Sequence, residues 1–530
     1  MAVLLRASER TRSFRATAYR KAIWSLDDLS PNLEDPPERI LAVPGLGRGM
    51  VRLIGEFKSQ GVLEELVELE DRYPLQAGRL RRLPRMTPAM LRDLKSDVGV
   101  DTTADLVRAI ETGDVSAVRG VGVVTAEKWL AVLEAWADDD AVPAFDAWVL
   151  SVELERHLAR HLDADIRVGG EVRRVAEWAH ALAFVVSGDL EHVRQFLRES
   201  VVGIPASVDE GGDRVTLETP SGLPMLVHIV DPGALGSALI ESTGPNAHLV
   251  ELGDFGKGST EAEVYGSLGW PWVPPPAREG KGPPPKGMLE KSSIRGDLHV
   301  HSAASPDGRM SLETIVEEMV RRGLEYVAIT DHTIGLRFGG LDEAGLRKQA
   351  RDVAEIRAKY PGFTLLHGAE VNIDVDGNLD IGNTTLEMLD FVVAGVHSHF
   401  DLPRSTQTDR VVSALRHPVV RVLAHPTGRR IGIRPGLDLD LEAVVDAAVV
   451  NQVALEANGH RDRLDVSGDL ARMAVSRGAL FAANSDAHRV AELDNIENAV
   501  ASLQRARITE DKVINALPAP DFGRWIGLTV

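Results

Sequence analysis

Cysteine is absent from the 530 residues of this chain. Its absence excludes disulfide bonds, thiolate metal sites and a cysteine nucleophile, so any transition-metal site must use histidine, aspartate and glutamate. The chain also lacks uninterrupted apolar runs of about 18 residues, the length that a transmembrane helix needs. Its first residues, MAVLLRASERTRSF, have no apolar core of the kind found in signal peptides. We therefore expect a cytoplasmic protein with no membrane partner, and its protein partners stay open.

Basic residues are fewer than acidic ones. The chain has 59 Lys and Arg against 79 Asp and Glu, which gives a formal net charge of −20. This balance argues against broad electrostatic capture of nucleic acid, although it leaves room for a local basic face. The chain is also too long for one ordinary hydrophobic core, so we expect several domains.

The sequence predicts an α/β multidomain protein with four segments. Residues 1–140 read as short amphipathic helices broken by glycine and proline, and residues 141–262 mix helix and strand. Residues 263–295 are rich in proline and glycine, which predicts an extended linker. Residues 296–530 alternate short apolar strands with amphipathic helices, a pattern typical of a parallel α/β barrel or sheet.

Two loops in the helical segment share a Gly-x-Gly pattern directly before a predicted helix. One contains Gly45 and Gly47, and the other contains Gly120 and Gly122. Glycine permits positive φ, and a helix start offers free N–H groups to a phosphate. An ordinary helix–helix turn explains one such loop equally well, but two of them favour DNA binding. The loops resemble the helix-hairpin-helix motif, which holds the DNA backbone without reading its sequence.

Polar residues stand at the ends of the predicted strands of 296–530. His299 and His301 are two residues apart, so their side chains share one face of a strand, and Asp486 and His488 repeat this spacing. The carboxyl ends of strands in a β/α barrel converge on one rim. The candidate ligands are His299, His301, Asp307, His332, Glu370, His397, His425, Asp486 and His488. Such a set suits two or three divalent ions, and favours Zn2+, Mn2+ or Fe2+ over Ca2+ or Mg2+.

The motifs around these ligands resemble those of the polymerase-and-histidinol-phosphatase (PHP) superfamily. They lie at 297–302, 329–332, 368–370, 425–428 and 485–488, and the resemblance extends from about residue 296 to about residue 523. The resemblance implies a distorted (βα)7 barrel with a trinuclear metal site. The implied ligands of the first metal are His299, His301, Glu370 and Asp486, those of the second are Glu370, His397 and His425, and those of the third are Asp307, His332 and His488.

The order of the four segments resembles that of the bacterial family-X DNA polymerases. The palm of that family bears an Asp-x-Asp pair on a strand, and these aspartates bind the two metals of nucleotidyl transfer. The matching positions here are Ala181 and Ala183, and the third palm aspartate falls near Leu226. We therefore expect residues 141–262 to form a degenerate, nucleotidyltransferase-like palm with no polymerase activity.

Together these features predict a metal-dependent phosphoesterase that acts on DNA. A 3′–5′ exonuclease, or a nuclease that processes 3′ ends or abasic sites in DNA repair, is the most natural form of this activity. Water activated by the metals would attack phosphorus in line. Arg429, Arg430 and Arg434 are candidates to clamp the phosphate, and Glu456 and Asn458 are candidates to support the ligands.

The alternative is a phosphatase for a small phosphomonoester, similar to the histidinol phosphatases. The barrel alone permits this activity, and the acidic net charge agrees with it. The two Gly-x-Gly loops and the palm-like segment agree with it less well. A non-catalytic DNA adaptor ranks last because it would not need nine competent ligands.

Overall fold

The computed structural model describes residues 47–527 apart from 61–62, 75, 82, 136–140, 201–205, 209–212, 219–222, 337–338 and 433. Gly45 therefore lies outside the described residues. The chain divides into two compact units between Ala141 and Val142. Among the described residues no helix combines the length and apolar character needed to span a membrane, and the cytoplasmic location stays a prediction.

The first unit is helical. Its helices are α1 (Arg48–Gln60), α2 (Glu64–Arg72), α3 (Ala77–Leu80), α4 (Pro88–Val98), α5 (Thr103–Thr112) and α6 (Val123–Ala135). Trp129 of α6 is fully buried in the apolar core, and its indole N–H donates to the carbonyl of Pro84 at 2.9 Å. A capping box between Thr102 and Asp105 fixes the start of α5.

The second unit begins with a mixed five-stranded sheet, which we call the palm-like sheet. Its strands are β2 (Asp165–Val168), β4 (Leu182–Ser187), β5 (Ala206–Val208), β6 (Arg214–Glu218) and β7 (Pro224–Val230), in the order β2-β4-β7-β6-β5. Strands β4 and β7 are parallel, and the other pairs are antiparallel. A short separate ladder joins β1 (Val142–Pro143) to β3 (Trp178–Ala179).

Helices of 4 to 18 residues accompany this sheet. They are α7 (Ala144–His161), α8 (Gly170–Arg173), α9 (Leu190–Ser200), α10 (Leu235–Thr243), α11 (Asn246–Leu252) and α12 (Glu261–Ser267). All six residues of β4 are buried, because α10 contacts this strand and the remaining core covers its other side.

The proline-rich stretch 263–295 is packed, whereas the sequence predicted an extended linker. Pro275–Glu279 form a 3-10 helix in which Arg278 is buried. The guanidinium of Arg278 donates to Glu261 at 2.8 Å and to the carbonyl of Val273 at 3.1 Å. The carbonyl of Ala277 in turn accepts hydrogen bonds from Arg507, near the end of the chain. The stretch is therefore fixed by buried polar contacts that its composition does not reveal.

The rest of the second unit is a nearly closed parallel barrel, as the sequence predicted. Its strands follow one another in chain order: β8 (Gly296–Val300), β9 (Tyr326–Ile329), β10 (Thr364–Asn372), β11 (Phe391–Gly395), β12 (Val420–Leu423), β13 (Ala454–Asn458) and β14 (Phe481–Asn484). The first and last strands meet where the N–H of His301 donates to the carbonyl of Ala487 at 2.9 Å.

Helices cover the outside of the barrel. They are α13 (Leu312–Arg321), α14 (Glu343–Lys359), α15 (Asn383–Leu386), α16 (Arg404–Leu415), α17 (Leu441–Val450), α18 (Gly468–Ser476), α19 (Ile496–Arg505) and α20 (Ala519–Ile526). Phe522 of α20 stacks on Tyr326 at the start of β9, with ring centroids 4.4 Å apart. Apolar side chains thus fill the amino end of the barrel, and the polar cluster lies at the carboxyl end.

Candidate metal centre

The nine predicted ligands come together at the carboxyl ends of the barrel strands. His299 lies on β8 and Glu370 on β10, both buried inside the barrel. His397 and Asp486 lie two residues beyond β11 and β14, and His425 lies two residues beyond β12. The remaining members are His301, Asp307, His332 and His488, which follow β8, β9 and β14.

Glu370 is the centre of the cluster. Its Oε2 lies 2.8 Å from Nδ1 of His332 and 3.3 Å from Nε2 of His299. Its Oε1 lies 2.9 Å from Nε2 of both His397 and His425. One carboxylate therefore faces imidazoles on two sides, which is the arrangement of a bridging ligand.

Asp486 and Asp307 complete the cluster. Oδ1 of Asp486 lies 3.4 Å from Nε2 of His299 and 3.3 Å from Nε2 of His301. Oδ2 of Asp307 lies 3.5 Å from Nε2 of His488. Two ligand atoms that each bind one ion at about 2.1 Å are separated by roughly 3 to 3.5 Å, so these distances fit shared ions. Asp307 is half-exposed and is the outermost of the nine.

Several buried ligand atoms lie close to one another but make no hydrogen bond of suitable angle within the described part of the chain. They are Nε2 of His299, Nε2 of His301, Nδ1 of His332 and Oε2 of Glu370. A buried polar atom without a partner is costly, and coordination to a cation would satisfy it. Three subsets can each surround one point: His301, His332 and His488; His299, His301 and Asp486; His332, Glu370 and His397. The residues present therefore fit divalent metal ions.

The Nδ1 atom of four of these histidines is bound by the protein, including that of His488, which lies 2.9 Å from the carbonyl oxygen of Asp486. Nδ1 of His299 lies 2.6 Å from Glu456, and Nδ1 of His301 lies 3.1 Å from the Ser305 hydroxyl. Nδ1 of His397 lies 3.3 Å from Oδ1 of Asn372. Such contacts fix the tautomer and the ring orientation, and direct the Nε2 lone pair into the cluster.

Glu456 and Asn458 support the ligands as the sequence suggested. Glu456 accepts from the backbone N–H of His425 at 2.7 Å, in addition to its contact with His299. The amide nitrogen of Asn458 donates to Glu456 and to Asp486, at 3.0 Å in both cases. Ser305 and Asn372 have the same kind of role, but no motif or spacing in the sequence singled them out.

Charges within the cluster shift the pKa values of its members. Burial alone would raise the pKa of Glu370, but the facing His397, His332 and His299 hold it well below its usual range. Burial alone would lower the pKa of His299, but the carboxylates of Glu456, Asp486 and Glu370 raise it well above its usual range. Glu370 is therefore ionised, and a metal bound by His299 must displace a proton.

The backbone is strained at two ligands. His425 has φ of 29° and Asp486 has φ of 54°, in the left-handed region that non-glycine residues avoid. Gly395 of β11 leaves room for the cluster, because a Cβ there would lie 3.0 Å from the rings of His397 and His425. Strain and a small residue both occur where polar side chains are gathered.

Arg429 is occupied elsewhere, contrary to the phosphate clamp expected from the sequence. Its two terminal nitrogens donate to the carboxylate of Glu177 at 3.0 and 2.9 Å. It also donates to the carbonyl of Arg463 at 3.0 Å and to that of Leu464 at 2.6 Å. Arg430 pairs with Asp462.

Arg463 is an arginine of the site that the sequence reading missed. Its Nε lies 3.6 Å from Oδ2 of Asp486, and its side chain is largely buried. Arg434 stands over the ring of Phe400 at 3.5 Å, and its Nε has no hydrogen-bond partner among the described residues. Burial, together with the charges of Arg463 and Arg430, lowers the pKa of Arg434 to about 10. A guanidinium beside a ligand of the cluster, as that of Arg463 is beside Asp486, suits an anionic ligand.

Three of the four hairpin glycines lie within the described residues. Gly120 has φ of 88°, and a Cβ there would lie 3.1 Å from Met90. The carbonyl of Gly122 accepts the first helical N–H groups of α6, and that of Gly47 accepts those of α1. Both glycines thus directly precede a helix start, as predicted. Val123, at the start of α6, is 74% exposed.

The palm-like sheet has apolar residues at the positions that the sequence resemblance matches to the palm aspartates. Ala183 on β4 is paired in register with Leu226 on the parallel strand β7. Ala181 immediately precedes β4. These three positions are therefore close neighbours in the fold, and none of them offers a metal ligand.

Comparison with known proteins agrees with this geometry. Residues 297–424 match the PHP domain family. The chain is 28% identical over 548 aligned residues to the DNA polymerase/3′-5′ exonuclease PolX of Bacillus subtilis (strain 168), an alignment that covers 97% of this chain and 95% of that protein.

Two shorter relatives match a smaller part of the chain. A probable phosphatase of Thermoanaerobacter sp. (strain X514) is 29% identical over 41% of this chain and 89% of its own length. The probable phosphatase YcdX of Escherichia coli (strain K12) is 25% identical over 42% of this chain and 90% of its own length. The resemblances to the PHP superfamily and to the family-X polymerases are thus confirmed.

Proposed function

We propose that this chain, whose C-terminal part is a PHP phosphoesterase domain, acts on DNA as a 3′–5′ exonuclease or a 3′-end-processing or abasic-site nuclease in repair, without polymerase activity. The observation that carries the proposal is the buried cluster around Glu370, with ligand atoms that lack partners within the described residues. Similarity to the Bacillus subtilis PolX along 97% of the chain supports DNA as the substrate.

The nine residues around Glu370 would hold two or three divalent ions, Mn2+ or Zn2+, with Fe2+ as a further candidate. When bound, these ions would supply Lewis acidity to the phosphate and lower the pKa of the attacking water. Glu456 keeps His299 in the tautomer that a cation needs. Asn458 orients Asp486 from behind.

Arg463 is our candidate for binding the phosphate, in place of Arg429. It lies beside Asp486, and its charge acts on Arg434, whose Nε lacks a partner among the described residues. Two guanidinium groups would compensate the charge of a phosphodiester and help to orient it. Arg434 keeps the clamp role that the sequence suggested.

DNA would be held by the hairpin loops of the first unit, at Gly47, Gly120 and Gly122 among the described residues and at Gly45 by sequence. The helix starts after Gly47 and Gly122 supply free N–H groups, which suit phosphate oxygens. Because Ala181, Ala183 and Leu226 occupy the palm positions, we infer that the palm-like sheet cannot bind the metals of nucleotidyl transfer.

The alternative is a phosphatase for a small phosphomonoester. The two shorter relatives are probable phosphatases, and they match about two fifths of this chain. That extent favours the alternative less than the nearly full-length match to PolX does.

The deciding experiment is metal-dependent cleavage of gapped DNA by the full chain. A 5′ label should give a ladder that shortens from the 3′ end, and a 3′ label should be released as a mononucleotide. Mn2+ and Zn2+ are compared, and a panel of sugar and amino-alcohol phosphates is run in parallel. His299→Ala should abolish product. His192→Ala, which removes an exposed imidazole on α9, is the matched control and should retain full activity.

Product from the wild type and from His192→Ala, but not from His299→Ala, supports the proposal. Release of inorganic phosphate from the small monoesters without DNA cleavage would replace it with the phosphatase alternative. No product on any substrate with either metal would reject both functions.

A further inference from the structure

The loop 459–467, which follows β13, brings Arg463 to the metal cluster. Two of its residues, Leu464 with φ of 41° and Val466 with φ of 56°, adopt the left-handed conformation. Such backbone costs about 1 to 3 kcal/mol per residue and persists only where surrounding contacts impose it. Barrel residues provide some of these contacts, because Asp465 accepts from the N–H and hydroxyl of Thr427 at 3.0 and 2.9 Å.

The palm-like part of the unit provides the others. Glu177 accepts two hydrogen bonds from Arg429 and one from the hydroxyl of Ser467, at 2.8 Å. The same guanidinium also donates hydrogen bonds to the carbonyl oxygens of Arg463 and Leu464. Glu177 thus fixes a guanidinium that in turn fixes the backbone on both sides of the Arg463–Leu464 peptide.

A second contact holds the loop two residues earlier. The guanidinium of Arg461 lies over the indole ring of Trp148 on α7, 4.2 Å from its centroid. A cation stacked on an aromatic face stabilises its position at roughly 0.5 to 2 kcal/mol. Arg461 and Ser467 therefore meet palm-like residues on either side of Arg463.

Glu177 is itself rigidly placed. It directly precedes β3, which pairs with β1, and its carbonyl accepts from the N–H of Ala144 at 3.0 Å, at the start of α7. Its pKa is lowered, because burial, which alone would raise it, is outweighed by Arg429 and by the hydroxyl of Ser467. The carboxylate is thus ionised and bound in one position.

We propose that the palm-like part of the chain positions Arg463 in the metal centre, with Glu177 acting through Arg429 as the positioning residue. This inference rests on the proposed phosphoesterase activity and deepens it. It assigns a role to a domain in which Ala181, Ala183 and Leu226 stand at the positions matched to the metal-binding aspartates of the polymerase palm. Activity at the barrel would then depend on a contact between residues that are 252 positions apart in the chain.

The test is a double-mutant cycle in the full chain, measured as kcat and KM for Mn2+-dependent cleavage of gapped DNA. Glu177→Gln keeps the size of the side chain but places an amide N–H against a guanidinium donor. The bidentate ion pair with Arg429 is therefore lost. We expect kcat/KM to fall about tenfold or more, because small displacements of a positioning group are costly. The fall should appear with unchanged metal content.

Arg463→Ala alone should lower kcat/KM about 100-fold, the usual loss for one charge-stabilising donor. If Glu177 acts through Arg463, the variant that combines both changes should be no worse than Arg463→Ala. The matched control is Glu279→Gln. This change breaks the ion pair between Glu279, in the proline-rich stretch, and Arg505 of α19, which is another contact between the residues before β8 and the barrel. It should leave kcat/KM within about twofold of the wild type.

Additive losses in the double variant, or equal activity of Glu177→Gln and Glu279→Gln, would overturn the inference while the wild type still cleaves DNA. A wild type that cleaves no substrate would reject the proposed function itself, a distinguishable result. If Glu177→Gln does not fold, Arg429→Lys replaces it in the cycle, since lysine keeps the charge but cannot hold Glu177 and both carbonyls together. The same non-additivity is then required.

Discussion

The palm-like sheet and the barrel rim are two strand-built sites in one unit, and only one of them retains groups for chemistry. In the sheet, the buried Ala183 stands beside the 44% exposed Leu226 on neighbouring parallel strands. At the rim, equivalent strand ends bear Glu370 and His299, with polar atoms that lack partners among the described residues. A sheet needs only its apolar layer to remain folded, whereas a metal site gathers buried charges that destabilise the empty protein.

This difference indicates what a domain without catalytic groups can still contribute. Five of the six buried residues of β4 are apolar and pack in the apolar core of the palm-like sheet, so the fold of this sheet does not depend on bound metal. Glu177, which precedes β3 of the separate ladder beside this sheet, binds Arg429 of the barrel. Stability and support are therefore predicted for the sheet, and metal dependence for the rim.

The largest expected effect is loss of the central carboxylate. Glu370→Gln keeps the shape of the side chain but removes the charge that faces His332, His397 and His425. We expect phosphoesterase activity to fall by about 10³-fold or more, with reduced metal content by elemental analysis. Glu313→Gln, an exposed surface position, is the control and should stay near wild type. A fully active Glu370→Gln protein would contradict the assignment of Glu370 as a bridge.

Metal removal should destabilise the barrel rim and leave the palm-like sheet unaffected. Chelation followed by titration with Mn2+ at about 1,000 times its dissociation constant should raise the free energy of unfolding by about 4 kcal/mol. The gain should be smaller in His299→Ala, because His299 belongs to one of the three candidate subsets and its Nε2 also faces Oε2 of Glu370. Thermal unfolding with and without metal measures it. Equal gains in both proteins would mean that His299 does not hold the stabilising Mn2+.

Much of this site could be predicted from the sequence, and the reasons are local. His299 and His301 are two residues apart, so the alternation of a strand places them on one face. His425 and Asp486 lie where apolar strands end, and the ends of barrel strands converge on one rim. Arg463 was missed because it reaches the cluster from a loop whose path depends on tertiary contacts. The sequence did not indicate that Glu177 holds Arg429, because the two residues are 252 positions apart.

The proline-rich stretch shows the same limit. Its composition predicts an extended linker, yet Arg278 within it forms a buried pair with Glu261 that no local pattern indicates. Glu261 also accepts two hydrogen bonds from Arg173, at 2.6 and 2.9 Å. Glu261 is a buried carboxylate, as Glu370 is, but its partners are two arginines, which stay positively charged.

That pairing predicts a specific pH dependence. Burial alone would raise the pKa of Glu261, but Arg173 and Arg278 lower it from 4.5 to about 2. Because the folded pKa is below the unfolded one, the stabilisation is complete above about pH 4.5 and is lost as pH falls towards 2. It amounts to about 3 kcal/mol at 1.36 kcal/mol per pKa unit. Urea unfolding at pH 7, 4 and 3 should show the gap between wild type and Glu261→Gln narrowing; a constant gap would contradict the pairing.

The smallest effect concerns a restored palm carboxylate. Ala183 is 6% exposed, and a Cβ on Gly170 would already lie 3.1 Å from its side chain, so Ala183→Asp buries a charge in a close-packed position. We expect a loss of about 2 kcal/mol in the free energy of unfolding. Leu226→Asp, on the neighbouring strand but 44% exposed, should cost less than about 0.5 kcal/mol.

Urea titrations of the two variants measure this difference in the free energy of unfolding. Mn2+ should stabilise Ala183→Asp no more than it stabilises the wild type. An additional metal-dependent gain in Ala183→Asp would instead mean that the sheet keeps enough of a metal site for one aspartate to restore, which would remove the contrast with the rim.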